Sequence, residues 1–443
     1  MTRLCVPLTA FNPEPFVASV PGSKSLTNRA LILAAQRIGV TRISRALHCD
    51  DTDYLAGCLN RFEGISVEKL PDGYRVVRDR ETIGAPSGEL YVGGAGTPAR
   101  FLLFFAAMAE GESVICGNQR LSERPMGDLL RAFDGMGVSY TCLGEPDRLP
   151  IRIHGAPIAA RRWSVSGTTS SQFTSSLLLL AAQQTGGPIT VEVSGKLVSR
   201  PYVEMTIQML ENCGIRVGRE SAQTFVVEPA MPRTDVIEIE ADASGMSYFL
   251  GAAALTGTRV IIPNIGRGSA QGDLGFAKLL GRMGCDVRLN ENSIELSGAP
   301  LQAISVDMEE MPDTVLTLST VATAATGVTK ISNVANLRVK ECDRIHAPVT
   351  ELRRLGVHAE EGPDWLTVVP NGGVRPARIE TYDDHRVAMS FALLGLLHPG
   401  IEIENPGCVA KSFPGFWSEL ERFSRHHQAG EQVTAPVEWR RAS

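Results

Sequence analysis

Seven cations stand at or near the starts of apolar helical runs in this sequence: Lys24 and Arg29 in PGSKSLTNR, Arg100 in GGAGTPAR, Arg124 in ERPM, Arg344 in KECDR, Arg386 in YDDHR and Lys411 in AKSFP. Hydroxyls, amides and small residues accompany them: Ser25, Gly96 with Thr97, Ser170, Ser171 and Gln172 in SGTTSSQ, and Ser199 with Arg200 in SRPY. Two acids, Asp313 in MPDT and Glu341 in KECDR, open helical runs of the same kind. A helix N-terminus offers unpaired N–H groups and the positive end of the macrodipole, so it favours phosphate and carboxylate. Ser, Thr and Asp at such positions are ordinary caps. Cations are not, because the macrodipole opposes each by a few tenths to ~1 kcal/mol in the first turn. A sequence that repeats this penalty uses it to hold polyanions. If the helix starts converge, the site suits a ligand set with two phosphates and two carboxylates.

The elements that position these residues recur. Six times a polar or Gly-rich cluster leads into an Ala/Leu-rich run that stops at glycine and gives way to a β-branched strand. The glycines are Gly39, Gly111, Gly187, Gly257, Gly327 and Gly400, roughly 70 to 76 residues apart and outside the solenoid range of about 20 to 50. A second helix in each unit closes on Gly64, Gly137, Gly214, Gly284 or Gly356, and the sixth is FPGFWSELERF. One unit reads β-α-β-α-β-β. The first helices are apolar nearly all round and are therefore expected inside. Six units over two domains give three per domain, in keeping with a length of 443 residues, which exceeds the ~250 to 300 at which single cores stop growing.

Composition excludes several classes. A net charge of −6 with no long basic run removes the usual footprint of nucleic-acid binding. Nine cysteines without a CxxC pair and eight histidines without HExxH spacing are read as reduced, unmetallated side chains of a cytoplasmic protein. The first fifteen residues show no signal-peptide pattern. Apolar runs such as Phe101–Met108 and Leu177–Ala182 fall short of the ~20 residues that span a bilayer, so no membrane is expected as a partner. GGAGT lacks P-loop spacing, and no GxGxxG follows a strand. His426 to Ser443 is polar without a period and is read as a mobile tail.

The segments PGSKSLTNRAL, GGAGTPARFL, ERPMGDLL, SSQF, SRPY, MPDT, RVKECDRI, DDHRVAMS and AKSFPGF resemble, in order and spacing, those of the 3-phosphoshikimate 1-carboxyvinyltransferase family, also called 5-enolpyruvylshikimate-3-phosphate synthase, from about Pro21 to Leu420. The resemblance implies an α/β, two-domain enolpyruvyl transferase fold, each domain three βαβαββ units in an inside-out α/β barrel. Residues 21–240 form one domain, 1–20 with 241–425 the other, and 426–443 a tail. A double crossover joins the domains, with the active site in the cleft between them. It further implies that Lys24, Ser25, Arg29, Ser170, Ser171, Gln172, Ser199, Tyr202, Asp313, Asn336 and Lys340 hold shikimate 3-phosphate. Lys24, Gly96, Arg124, Gln172, Arg344, Arg386 and Lys411 would hold phosphoenolpyruvate. The substrate hydroxyl must lose a proton and the enolpyruvyl methylene carbon must gain one; Asp313 is the expected base, and Glu341 and Lys24 are the candidates for proton delivery. No cofactor or metal is implied, and a monomer is the family expectation. The chain departs from the family's usual Asn-Ala-Gly-Thr-Ala-Met-Arg-Pro in Gly94-Ala95-Gly96-Thr97-Pro98-Ala99-Arg100-Phe101, which bears on affinity for phosphoenolpyruvate and on the response to glyphosate. Thr27 and Cys342 stand where Ser and Ser/Thr are more usual.

Three rivals compete. An enolpyruvyl transferase acting on UDP-N-acetylglucosamine would carry a reactive Cys on a loop before Arg-Pro; Cys116 instead lies in the apolar alternation of SVICGN and reads as a buried thiol. An RNA-end-processing relative would want a basic face, against a pI near 5.8. A non-catalytic scaffold would not need Asp313, Glu341 and the cations.

Overall fold

The computed structural model of the chain describes residues 2–5, 12 and 14–428. Gly22–Glu240 form one unit; the residues up to Pro21 and those from Ala241 form the other. In the Gly22–Glu240 unit the inner helices Lys24–Gln36, Gly96–Ala106 and Ser171–Ala181 touch one another. Each feeds a strand that lies second in a four-stranded sheet, with a parallel edge strand on one side and an antiparallel pair on the other. In the second repeat the order is Leu90–Tyr91, Gly111–Cys116, Ile151–Gly155, Ser139–Cys142. The other unit repeats this plan around Ala243–Thr256, Val315–Val321 and His385–Ala392, with its third sheet reduced to three strands. Helices lie inside and sheets outside, as the repeat pattern predicts.

The inner helices tolerate this position because they carry almost no group that needs water. Ala243–Thr256 is buried from Ala243 to Leu255 on every face. Its few hydroxyls are satisfied across helices: Ser247 Oγ lies 3.1 Å from Thr317 Oγ1, which lies 3.3 Å from Ser390 Oγ, one from each inner helix. The second helices are one-sided; Gly127–Met136 buries Leu129, Leu130, Ala132, Phe133 and Met136. All eleven glycines that mark helix ends in the repeat have φ between +74° and +117°. An L side chain is disfavoured there, so glycine ends the helix and turns the chain into the next strand.

Two repeats draw their edge strand from a distant part of the chain. Phe16–Val17 directly precedes the first inner helix but pairs in parallel with Arg259–Pro263, and Val236–Glu238 precedes the fourth inner helix but pairs in parallel with Gly39–Ser44. Thr2–Leu4 pairs antiparallel with Ile401–Glu404. Within one unit Ser23 N donates to Glu240 O at 2.9 Å, and within the other Asp242 N donates to Pro21 O at 2.9 Å. At Gly22 a Cβ would stand 2.0 Å from Arg45 O, so the crossing residue has no room for one.

The C-terminal helix Phe416–Gln428 runs past His426, where the tail was expected to begin. His426 O accepts from Asn12 Nδ2 at 2.8 Å and its ring meets Phe16 edge-on, so packing continues the helix through the start of that segment. Residues 429–443 of the expected tail lie outside the described residues. Among the described residues no helix is long and apolar enough to cross a membrane. A cavity of 1210 Å³ in the Gly22–Glu240 unit opens at the C-terminal ends of the inner helices, beside Gln36, Met108 and Gln184. It contains none of the candidate residues.

Candidate active site

Lys24 is the first residue of its helix, capped by Ser23, and its Nζ lies 3.1 Å from Asp51 Oδ2. Asp51 is the second residue of Asp50–Leu59 and is buried. Arg29 lies one turn deeper, 1% exposed. It donates through Nε to Thr206 Oγ1 (2.7 Å), through Nη1 to Ser25 O (2.8 Å), and through Nη2 to Tyr202 O (2.9 Å) and Ser175 Oγ (3.2 Å). Every one of these acceptors is neutral, and burial pulls its pKa down to about 10. A buried cation without a bonded carboxylate leaves positive potential for an anionic ligand to offset. These bonds tie the start of the first inner helix, with Ser25, to the start of Pro201–Asn212, where Tyr202 N donates to Ser199 O at 3.2 Å.

The second and third inner helices meet in the same way, with Arg100 Nη1 donating to Gln172 Oε1. Ser170 caps Ser171–Ala181 by accepting from Gln172 N. A Cβ at Gly96 would lie 2.7 Å from Arg124 Nη1 and 3.0 Å from Arg100 Nη1; glycine lets both guanidinium groups crowd one helix start. Pro98 is accommodated in that first turn, where its missing N–H costs no intrahelical bond.

The expectation that all seven cations occupy first turns needs correcting. Lys24 and Arg386 do, but Arg29 and Arg100 are the sixth and fifth residues of their helices, and Arg124, Arg344 and Lys411 precede the helices Gly127–Met136, His346–Arg354 and Phe416–Gln428. The macrodipole penalty therefore falls on few of them. Of these loop cations, Arg344 and Lys411 are placed by ion pairs.

Those pairs make the second cluster. Asp313, on the 3-10 turn Pro312–Thr314, receives Arg386 Nη2 at 2.8 Å and Arg344 Nη1 at 3.1 Å. Arg344 also reaches Glu341 Oε2 at 2.9 Å and grips Asp384 through Nε (2.7 Å) and Nη2 (3.1 Å). Lys411 Nζ lies 3.4 Å from Glu341 Oε1. Asp384 in turn caps His385–Ala392 by accepting from Arg386 N at 2.9 Å, so one carboxylate aims both arginines. Asn336 lies on the 3-10 turn Ala335–Val339 and Lys340 follows it. Burial alone would push the Asp313 carboxyl up, but Arg386, Arg344 and Lys340 outweigh it and hold the group well below the usual carboxylate range. Arg344 is held firmly protonated: burial works against the charge, and Asp384, Glu341 and Asp313 overcome it.

Asp51, Asp384, Ser244 and Asp273 also belong to these clusters, although no motif marks them as site residues. Each stands at the start of a helix or 3-10 turn, where an acid or hydroxyl looks like a cap. Asp384 carried the only stronger signal, its place directly before His385 and Arg386 in DDHR.

The family model for EPSP synthase (3-phosphoshikimate 1-carboxyvinyltransferase) matches residues 17–420. A 3-phosphoshikimate 1-carboxyvinyltransferase from Nitrosomonas europaea is 41% identical over 410 residues, 90% of this chain and 94% of that protein. One from Trichormus variabilis is 40% identical over 414 residues, 92% and 96%. The solved EPSP synthase of Acinetobacter baumannii superposes with a TM-score of 0.80 at 25% identity, over 95% of this chain and 97% of that one. The enolpyruvyl transferase NikO of Streptomyces tendae shares the fold, with a TM-score of 0.71 at 18% identity over 95% and 96%. The chain belongs to the EPSP synthase (3-phosphoshikimate 1-carboxyvinyltransferase) family.

Proposed function

We propose that the chain is an enzyme that transfers the enolpyruvyl group of phosphoenolpyruvate to the 5-hydroxyl of shikimate 3-phosphate, releasing phosphate, in aromatic amino-acid (chorismate) biosynthesis. The observation that carries this reading is the shared grip of Arg344 on Asp313 and Glu341, at 3.1 and 2.9 Å, with Arg386 and Lys411 as the outer cations. Two carboxylates whose cations can be drawn off by an anionic substrate form a general base and a general acid that ligand binding arms.

Lys24, Ser25, Arg29, Ser170, Ser171, Gln172, Ser199, Tyr202, Asp313, Asn336 and Lys340 hold shikimate 3-phosphate. Lys24, Gly96, Arg124, Gln172, Arg344, Arg386 and Lys411 hold phosphoenolpyruvate. When its carboxylate and phosphate engage the arginines, Asp313 loses part of the stabilisation that keeps it a weak base, and its proton affinity rises. The 5-hydroxyl oxygen then bonds to C2 of phosphoenolpyruvate while its proton passes to Asp313. C3 gains a proton from Glu341 or Lys24. The resulting tetrahedral adduct expels phosphate as a proton leaves C3. The cations stabilise charge on the carboxylate and the leaving phosphate. The enzyme acts as a monomer in the cytoplasm, a compartment in keeping with its nine free thiols.

Phosphate release from the two substrates in excess chelator, beside Asp313→Ala, tests the reading. Release that needs both substrates, survives chelator and falls by about 10²–10⁴ in the variant is expected. Release supported instead by UDP-N-acetylglucosamine would overturn it.

A further inference from the structure

One buried acid takes no part in the chemistry above. Asp273 lies on the 3-10 turn Gly272–Leu274 and is 4% exposed. Its Oδ2 accepts from Ser244 Oγ, while its Oδ1 is buried and has no hydrogen-bond partner among the described residues. Its turn packs against Pro312–Thr314, which carries Asp313, and both turns rest on helix Ala243–Thr256. Gln271 locks the segment, its Nε2 donating to Ala241 O at 2.7 Å and its Oε1 accepting from Ala243 N at 3.0 Å. Asp273 therefore cannot swing out to solvent.

The charged groups that face it come from three directions. Asp313 is on the neighbouring turn, Arg386 on helix His385–Ala392, and Asp242 at the cap of Ala243–Thr256; Lys278 and Arg282 of the following helix Gly275–Arg282 are exposed. Arg386 commits its Nη2 to Asp313, and among the described residues a serine hydroxyl is what bonds Asp273. Two carboxylates near one cation do not both ionise readily. Burial first, and the charge of Asp313 second, push Asp273 up to about 7, while Arg386 and Ser244 pull the other way.

We propose that Asp273 is a positioning residue that sets the basicity of Asp313: neutral, it leaves Asp313 as a weak base pinned by its arginines, and ionised, it raises the proton affinity of Asp313. This rests on the function proposed above. As pH rises through the titration of Asp273, the added negative charge makes Asp313 a better acceptor for the substrate proton.

The test is the pH profile of kcat from pH 5 to 9 for the wild type, Asp273→Asn and Asp273→Ala, with infrared spectra of the same proteins. The wild type gains about tenfold in kcat across neutral pH, and Asp273→Asn, a neutral isostere, stays near the low-pH plateau at every pH. A limb that persists in Asp273→Asn overturns the proposal, as does an equal loss at all pH in both variants, which marks a purely structural role. The infrared arm needs no turnover: a protonated-carboxyl band at pH 6 should fade by pH 9 and be absent in Asp273→Asn. Its absence in the wild type sinks the proposal. Wild-type protein that shows the band yet does not turn over separates failure of the assigned reaction from failure of this inference.

Discussion

The two units place a buried acid at the same point of their first repeat and give it opposite company. Asp51 and Asp273 are each the second residue of the element that opens the second helix, each 4% exposed, and each faces the first or second residue of an inner helix. Asp51 meets Lys24 at 3.1 Å. Asp273 meets Ser244 and the field of Asp313. One corner is a buried ion pair that can aim a lysine. The other is a carboxyl whose burial, with the charge of Asp313, favours its neutral form. The backbone repeat supplies the position; one or two side chains decide whether that position carries charge.

Breaking the first corner should have the largest effect. Lys24→Met removes a substrate contact and strands Asp51 without its cation. We expect kcat/KM to fall by about 10³ and stability by roughly 3–5 kcal/mol, read by steady-state kinetics and denaturant unfolding. An unchanged unfolding midpoint would mean that the pair is not a buried one.

The second corner sharpens the contrast through pH. Because the folded pKa of Asp273 is raised, the stability it contributes is complete below the unfolded value of ~3.9 and is lost as pH rises toward about 7. Asp313 has the opposite sign: its folded pKa is depressed, so its contribution is present above ~3.9 and lost as pH falls. Unfolding curves should show Asp273→Asn gaining on the wild type by a few kcal/mol between pH 4 and 7. A constant difference across that range would contradict the assignment.

Two smaller effects complete the comparison. Asp51→Asn keeps the shape but loosens Lys24, and kcat/KM should drop about 10- to 100-fold with Lys24 still present; wild-type kinetics would show that the pair does not aim the lysine. Ser244→Ala removes the one hydroxyl on Asp273 and should cost about 1–2 kcal/mol in unfolding free energy at pH 5. No loss there would mean that the serine bond carries no weight.

Helix ends were legible in the sequence because the left-handed turn is a local demand: Gly137 and Gly214 show where the chain must bend whatever surrounds them. The cations and hydroxyls of the candidate site were legible too, by residue type and place in the repeat. The state of Asp273 was not. An acid near a helix start looks the same whether a lysine or another acid faces it, and only packing decides. The neutral surroundings of Arg29 come from Ser175, Tyr202 and Thr206, far along the chain. The exchanged strand Phe16–Val17 is too short to show an alternation, so the crossover was expected only from family resemblance.

That exchange has a consequence during synthesis. The sheet around Gly39–Ser44 lacks its parallel edge until Val236–Glu238 has left the ribosome, and Phe16–Val17 has no strand to join until Arg259–Pro263 follows. At ~5–20 residues per second, the early part of the chain waits roughly 10 to 40 s with an open sheet edge. A nascent chain of this topology leaves pairing-competent backbone open for nearly half of its translation, a wait that an unexchanged tandem of the same six repeats would avoid.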